Sequence, residues 1–333
     1  MGCCGSSDRI STRHEKKIVK AQAIVRGFLV RNKVKNMQDD LLSALFELKE
    51  ENYTSEVTYE TAVENGEFPY KQYNHNKKVY FKNKLVDIGD GKKYKGQWAM
   101  RNNEETREGF GVLFWEDGSK YEGLFKENMA HGKGRLISAN GDFYFGDWRY
   151  DKTHGFGIFR DMTGASYEGQ WIDDKQHGEG IEKWDGGKTV FKGEFRNGKK
   201  NGKGRFEWED GSYYEGDLVD GMFEGEGVYF FADSGKMYTG QFADNTINGR
   251  GIETCPDGRR YEGEFKNGKK EGDGVFEWPN GNKYIGRWEA EKQHGIGVFI
   301  NMSDKTKRQG EWKHGKRVRW ISGIEQSSYS PKK

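Results

Sequence analysis

Proline and cysteine are nearly missing from this sequence, and so are long apolar runs. Four prolines in 333 residues exclude a Pro-rich linker. Of three cysteines, Cys3 and Cys4 are adjacent and Cys255 stands alone, so no disulfide framework can form and a reducing compartment is expected. No apolar stretch reaches the roughly 18 residues that a bilayer-spanning helix needs, and residues 1–15 lack the apolar centre of a secretory signal. Charge of one sign is not in excess either: 55 Lys and Arg face 53 Asp and Glu, so no bulk field dictates a nucleic-acid partner. A mean hydropathy of -1.03 with 33% hydrophobic residues argues against an ordinary globular core. Disorder fails as the alternative, because 17 Tyr, 21 Phe and 10 Trp accompany 48 Gly and a solvated chain has no use for so many rings. Few aliphatics, many rings and many glycines predict a thin sheet.

A repeat decides the architecture. An aromatic, a glycine and a second aromatic recur at a spacing of two: Tyr94-Gly96-Trp98, Tyr121-Gly123-Phe125, Tyr144-Gly146-Trp148, Tyr167-Gly169-Trp171, Phe191-Gly193-Phe195, Tyr214-Gly216-Leu218, Tyr238-Gly240-Phe242, Tyr261-Gly263-Phe265 and Tyr284-Gly286-Trp288. A polar stretch and a Gly-x-Gly follow each, as in His131-Gly132-x-Gly134, His177-Gly178-x-Gly180 and Asn201-Gly202-x-Gly204. From Tyr121 onward the period is 23 or 24 residues, and Gly310-Glu311-Trp312 is a partial tenth copy. A spacing of two puts each set on one strand face, so every unit reads as a hairpin. Polar loops such as 197–200 join strands within a unit, and Asp117-Gly118, Asp210-Gly211, Asp257-Gly258 and Asn280-Gly281 turn between units at positive φ. Glycine on the ring-bearing face leaves room for a neighbouring strand's ring to lie on the backbone. Lone hairpins are marginal in water, so the units must share their rings in a stack. The predicted fold is an all-β repeat array, an elongated twisted antiparallel sheet, preceded by an N-terminal α-helix.

Tyr167-Glu168-Gly169-Gln170-Trp171 with His177-Gly178-Glu179-Gly180 resembles the MORN repeat, and the resemblance covers residues 94–312. It implies an extended antiparallel sheet used in scaffolds beside membranes or cytoskeleton, with phospholipid (phosphoinositide) binding or an accessory role to a lipid kinase or to a cytoskeletal or ciliary assembly as the alternative. Leu218 departs from the second-aromatic position, Glu182 and Glu253 from an apolar position of the returning strand, and Arg308 from a tenth tyrosine.

The first residues read as an address. Gly2, with Ser6, satisfies the N-myristoylation pattern, and Cys3 and Cys4 offer palmitoylation. One myristoyl chain, at about 0.8 kcal/mol per buried CH₂, holds a protein only marginally, so a second signal is needed. Nine Lys and Arg against Asp8 and Glu15 give residues 1–37 a net +7, which an anionic inner leaflet attracts. Over 11–52 the apolar residues recur at helical spacing, with Ser11 or Thr12 as cap. Within that span Gln22, Ile24, Val25, Arg26, Gly27, Phe28 and Arg31 resemble an IQ motif, Ala21 replacing its first isoleucine. The resemblance implies calmodulin or a calmodulin-like EF-hand protein as partner, and a basic amphipathic helix suits its acidic-rimmed groove. Competition of lipid and calmodulin for this segment makes an electrostatic switch.

The division predicted is a lipidation signal at 1–10, the amphipathic helix at 11–52, a Tyr-rich linker at 53–93 with a degenerate hairpin near 70–81, the array at 94–315 and a basic tail at 316–333. No enzyme, cofactor or metal is expected. His131, His154, His177 and His294 read as turn residues, since equivalents in successive units stand about 9.6 Å apart, too far to share an ion. Glu122, Glu168, Glu215 and Glu262 are as widely spaced and form no catalytic carboxylate pair. The Gly-x-Gly pairs lie inside strands and open no helix, so they are not phosphate loops. The function expected is a non-enzymatic scaffold on the cytoplasmic face of a plasma, ciliary or vesicle membrane, in contact with the cytoskeleton. Its partners would be calmodulin, inner-leaflet anionic lipid and unidentified protein clients, with no nucleic acid, and exposed sheet edges offer a route to homo-oligomers.

Overall fold

Glycine falls opposite glycine in strand pair after strand pair of the computed structural model, which describes residues 78–326, the first pair and the last two excepted. The described residues are all β apart from one 3-10 turn at Asp185–Gly187, with twenty-two strands from Tyr80–Gly89 to Glu325–Gln326. The chain divides into two compact units, 1–151 and 152–333. In the first unit the glycine row runs Gly96, Gly111, Gly123, Gly134, Gly146 across antiparallel neighbours. In the second it begins at Gly157 and Gly169 and ends at Gly297 and Gly310.

The row exists because a tyrosine lies on it. In the hairpin Arg260–Lys266 with Lys269–Glu277, a Cβ on Gly263 would stand 2.5 Å from Tyr261 Oη, and one on Gly274 would stand 2.5 Å from that ring's Cε2. The ring therefore covers a glycine of its own strand and the opposite one, whereas the sequence reading assigned it only to a neighbour. The hydroxyl donates to the carbonyl of Glu264, at 3.0 Å, where the register breaks between Gly263 and Glu264. The same bond recurs from Tyr94, Tyr121, Tyr144, Tyr167, Tyr214, Tyr238 and Tyr284. Phenylalanine would fill the space and leave that acceptor without this donor, which is why tyrosine recurs and Phe191 is the exception.

Bulges are the second device. Between Gly263 and Glu264 the opposite strand drops from Gly274 to Glu271, and Gly272 takes a φ of +64°. The first glycine of each Gly-x-Gly thus bends the strand on its hairpin side, while on the other side Gly202, Gly204 and Phe206 stay in register opposite Leu218, Gly216 and Tyr214. The histidines at 131, 154, 177 and 294 precede such glycines inside strands and are not in turns. The turns themselves hold two residues at positive φ, such as Asn197 and Gly198, so Lys199 and Lys200 belong to the returning strand. Each clips onto the preceding unit: Asn245 N–H donates to Phe223 O at 3.2 Å, and its Oδ1 accepts from Phe223 N at 2.8 Å.

Ring contacts couple neighbours. Tyr261 meets Phe265 of its own strand and Trp288 of the next hairpin edge-on, both at 5.1 Å. Stability is then a sum of adjacent interfaces. Tyr80–Gly89, in the span read as linker, pairs with Lys92–Arg101. Lys316–Trp320, read as tail, also joins the sheet, because the Trp320 ring lies against Trp312.

Burial pushes the hydroxyls of Tyr238 and Tyr284 up to about 12 from the ordinary 10.0. The hydroxyls of Tyr94, Tyr121, Tyr167, Tyr214 and Tyr261 are raised by the same cause. The folded state keeps protons that the unfolded chain releases, so this contribution is complete below the unfolded value and is lost as pH climbs through the folded one. Tyrosinate absorbance from these buried rings should appear together with loss of β circular dichroism between about pH 10 and 12, after that of exposed tyrosines such as Tyr150. Ionisation of the buried set in a still-folded chain would contradict the wedged ring.

Candidate docking face of the repeat array

On the ring-bearing face of the second unit, the returning strands add a row of half-buried rings beside the buried tyrosines: Trp184, Phe206, Trp208, Tyr229, Phe231, Phe276, Trp278, Phe299 and Trp320. They touch in two runs, Trp184 to Phe231 and Phe276 to Trp320. Trp184 stacks on Phe206 at 6.3 Å and Phe206 on Trp208 at 5.8 Å, Trp208 meets Tyr229 at 5.6 Å, and Trp278 meets Phe299 at 5.8 Å. Strand alternation aims them one way, on the same face as the tyrosines that cover the glycine row.

Two acids interrupt the row. Glu182 and Glu253 face Tyr167 and Tyr238 across the sheet, where other units place Phe206 or Phe276. Each is answered from the next unit: Lys200 Nζ lies 2.5 Å from Glu182, and Lys270 Nζ lies 2.7 Å from Glu253 and 3.0 Å from Glu291. The ammonium of Lys200 also sits 4.5 Å over Trp184. Burial alone would lower Lys270, but the bonds and charges of Glu253 and Glu291 outweigh it and raise its pKa. The departures marked in sequence are thus paired, through partners 17 or 18 residues away that spacing gave no means of finding. Leu218 is compensated likewise, since Phe223 opposite it stacks on Tyr214 at 3.7 Å. Arg308 lies 4.8 Å over Trp320 and donates to Ser322 O at 3.0 Å.

Of the expected site residues, Gly2, Cys3, Cys4 and the calmodulin-type set Gln22, Ile24, Val25, Arg26, Gly27, Phe28 and Arg31 lie outside the described residues. Among the repeat positions, Tyr94, Trp98, Tyr121, Phe125, Tyr144, Trp148, Tyr167, Tyr214, Tyr261, Phe265, Tyr284 and Trp288 are buried, and Trp171 is half-buried. Gly96, Gly123, Gly146, Gly169, Gly216, Gly263 and Gly286 stand in the row.

One histidine grouping escaped the repeat argument, which compared only equivalent positions. Glu289, His294 and His314 bring ligand atoms within 4.8 Å of one another, because the turn carrying His314 lies beside the bulge carrying His294. A tetrahedral zinc set needs separations of about 3.4 Å, and His294 Nδ1 already lies 2.9 Å from Glu289. The Glu289 contact and the edge-on packing of the His294 and His314 rings, 5.4 Å apart, account for the geometry.

No curated protein matches the sequence. Among solved structures, a point mutant of the TCP10 domain of Danio rerio CPAP is 11% identical, with a TM-score of 0.35, over 61% of this chain and 93% of that one. The CPAP G-box domain is 12% identical at a TM-score of 0.32, over 65% of this chain and 99% of that one. The MORN repeat pattern matches residues 106–120, 121–143, 144–166, 167–189, 191–213, 214–236, 238–259, 261–283, 284–301 and 309–318. The first copy lies ahead of these segments, yet Tyr94 rests on Gly96 and Gly111 as the later tyrosines rest on theirs. With ten matched segments over more than half its length, this chain belongs to the MORN-repeat family.

Proposed function

We propose that the chain is a non-enzymatic scaffold held at the cytoplasmic face of a membrane by acyl groups on Gly2 and on Cys3 or Cys4. Residues 21–31 serve as its calmodulin-type regulatory segment, and the ring-bearing face receives protein clients. MORN repeats suggest a protein-interaction or membrane-binding scaffold, and the observation that carries the choice of client is the row of half-buried rings from Trp184 to Trp320. Contiguous rings with polar neighbours are the composition of protein-binding surfaces, and Lys200 and Lys270 add paired charge where a lipid-facing surface would be uniformly apolar or basic.

The test compares the full chain with Gly2→Ala in cells and on anionic vesicles. The native chain is expected in the membrane fraction and Gly2→Ala in the soluble one, since one acyl signal decides between marginal and stable residence. Undiminished vesicle binding by Gly2→Ala would overturn the anchor and assign lipid recognition to the array. On the same material, Arg26→Glu with Phe28→Glu should abolish retention on immobilised calmodulin; retention would remove that segment's role.

A further inference from the structure

The tenth copy departs from the others by two cations. Arg308 stands opposite Phe299, in the place where Tyr284 stands opposite Phe276. Arg317 stands opposite Trp312, as Lys200 and Lys270 stand opposite Phe195 and Phe265. Paired residues share a face, so both guanidinium groups rise on the ring-bearing side. They lie against one indole, Arg317 at 4.2 Å and Arg308 at 4.8 Å from the centre of the Trp320 ring. Trp320 in turn packs on Phe299 and Trp312, and Phe299 on Trp278. The second run of half-buried rings thus ends in a pair of arginines.

Their surroundings set them apart from the other cations of this face. Lys200 and Lys270 meet Glu182 and Glu253, but the place equivalent to Glu253 is held here by Phe299, opposite Tyr284 and Arg308. The nearby acids are engaged elsewhere. Glu311 lies 2.7 Å from Arg319 and Glu325 lies 3.2 Å from Lys307, both on the opposite face, and Asp304 accepts from the Thr306 amide. Among the described residues neither Arg308 nor Arg317 forms an ion pair. Arg308 gives its Nε–H to Ser322 O at 3.0 Å, and Arg317 is exposed beside the indole. An indole supports the flat face of a guanidinium and leaves its N–H edge open to a planar carboxylate. Arginine beside tryptophan is also where binding energy concentrates at protein interfaces.

We propose that this end of the ring-bearing face docks an acidic, apolar segment of a client protein, with carboxylates on Arg308 and Arg317 and apolar side chains along Trp320, Phe299 and Trp278. The inference rests on the ring-bearing face being the client-docking face, and it adds the charge of the client and the direction in which it lies. A membrane surface attracts by the number of cations it meets. Lys307, Lys313, Lys316 and Arg319 all stand on the opposite face, so anionic lipid would gather there, whereas two arginines in line with rings match one short segment of protein.

Selection of a random peptide library on the full chain tests this. Selected peptides should combine acidic with apolar residues, and the tightest should bind at least about tenfold more weakly to Arg308→Gln/Arg317→Gln. Lys313→Gln/Lys316→Gln, which removes the same charge from the opposite face, should bind it as the native chain does. Selection on the arginine variant should return peptides that keep their apolar residues and lose the acids. Peptides without acids that no longer bind Trp278→Ser would overturn the charge assignment and leave the docking face standing; peptides indifferent to Trp278→Ser would remove both. Equal losses in the arginine and lysine variants would reduce the attraction to a bulk field and overturn the proposal. So would weaker binding of the arginine variant alone to phosphatidylserine vesicles, which would assign the pair to lipid. The composition selected by the native chain decides the charge even if a variant fails to fold.

Discussion

Gly263→Ala should destabilise its hairpin by about 3 kcal/mol, whereas Gly268→Ala in the same hairpin should cost about 1 kcal/mol. At Gly263 a methyl group would stand 2.5 Å from Tyr261 Oη, 2.6 Å from Gly274 Cα and 2.7 Å from Asp273 O, so ring and backbone must both yield. At Gly268 nothing lies within 4 Å and only its φ of +74° resists a side chain. Gly274→Ala meets the Tyr261 ring at 2.5 Å, so Tyr261→Ala should relieve it in part and leave Gly263→Ala unrelieved, because the latter also strikes backbone. Urea unfolding with hydrogen exchange on strands 260–266 and 269–277 reads the effects locally, which matters in an array whose cooperativity need not be global. Equal costs at 263 and 268 would show that the tyrosine does not lie on the glycine row.

The second large effect is non-additive. Lys270→Ile should cost about 2 kcal/mol, since it leaves Glu253, whose side chain is 18% exposed, with only Lys236 at 3.9 Å, while Glu291 at 44% can rehydrate. Adding Glu253→Phe gives the pair the residue types that stand at the same places elsewhere, Phe276 opposite a tyrosine and Ile247 opposite a second aromatic. The double variant should return to within about 1 kcal/mol of the native array or exceed it, because well-packed apolar residues replace buried ion pairs without loss. Additive losses in the double-mutant cycle would mean that the two side chains act separately.

Much of this fold could be read from spacing. The period of two in Tyr261-Gly263-Phe265 and the 23- to 24-residue recurrence required hairpins, and Gly211, Gly258 and Gly281 turn at positive φ where Asp-Gly and Asn-Gly were expected to. Spacing could not show the bulge at Gly272, because a shift of two residues leaves the period of two unbroken. Nor could it show that Tyr261 bonds to Glu264 O, since the acceptor is created by that bulge. The Glu253–Lys270 pair spans two units, and each residue alone resembles an error in the pattern. The strand at 80–89 lacks the aromatic-glycine rhythm, having Val86 opposite Tyr94, and so resembled a linker. The half-buried ring row was legible as aromatic content, but its placement on one face depended on the register.

Near-identical hairpins carry a hazard during synthesis, when a newly made strand can dock on the wrong neighbour and still match glycine to glycine. The Glu182–Lys200 and Glu253–Lys270 pairs raise the energy of that mistake, because a strand displaced by a whole unit would leave a lysine among rings with no acid to meet it. The two interruptions in the pattern thus act as keys that let otherwise interchangeable segments find their own place in line.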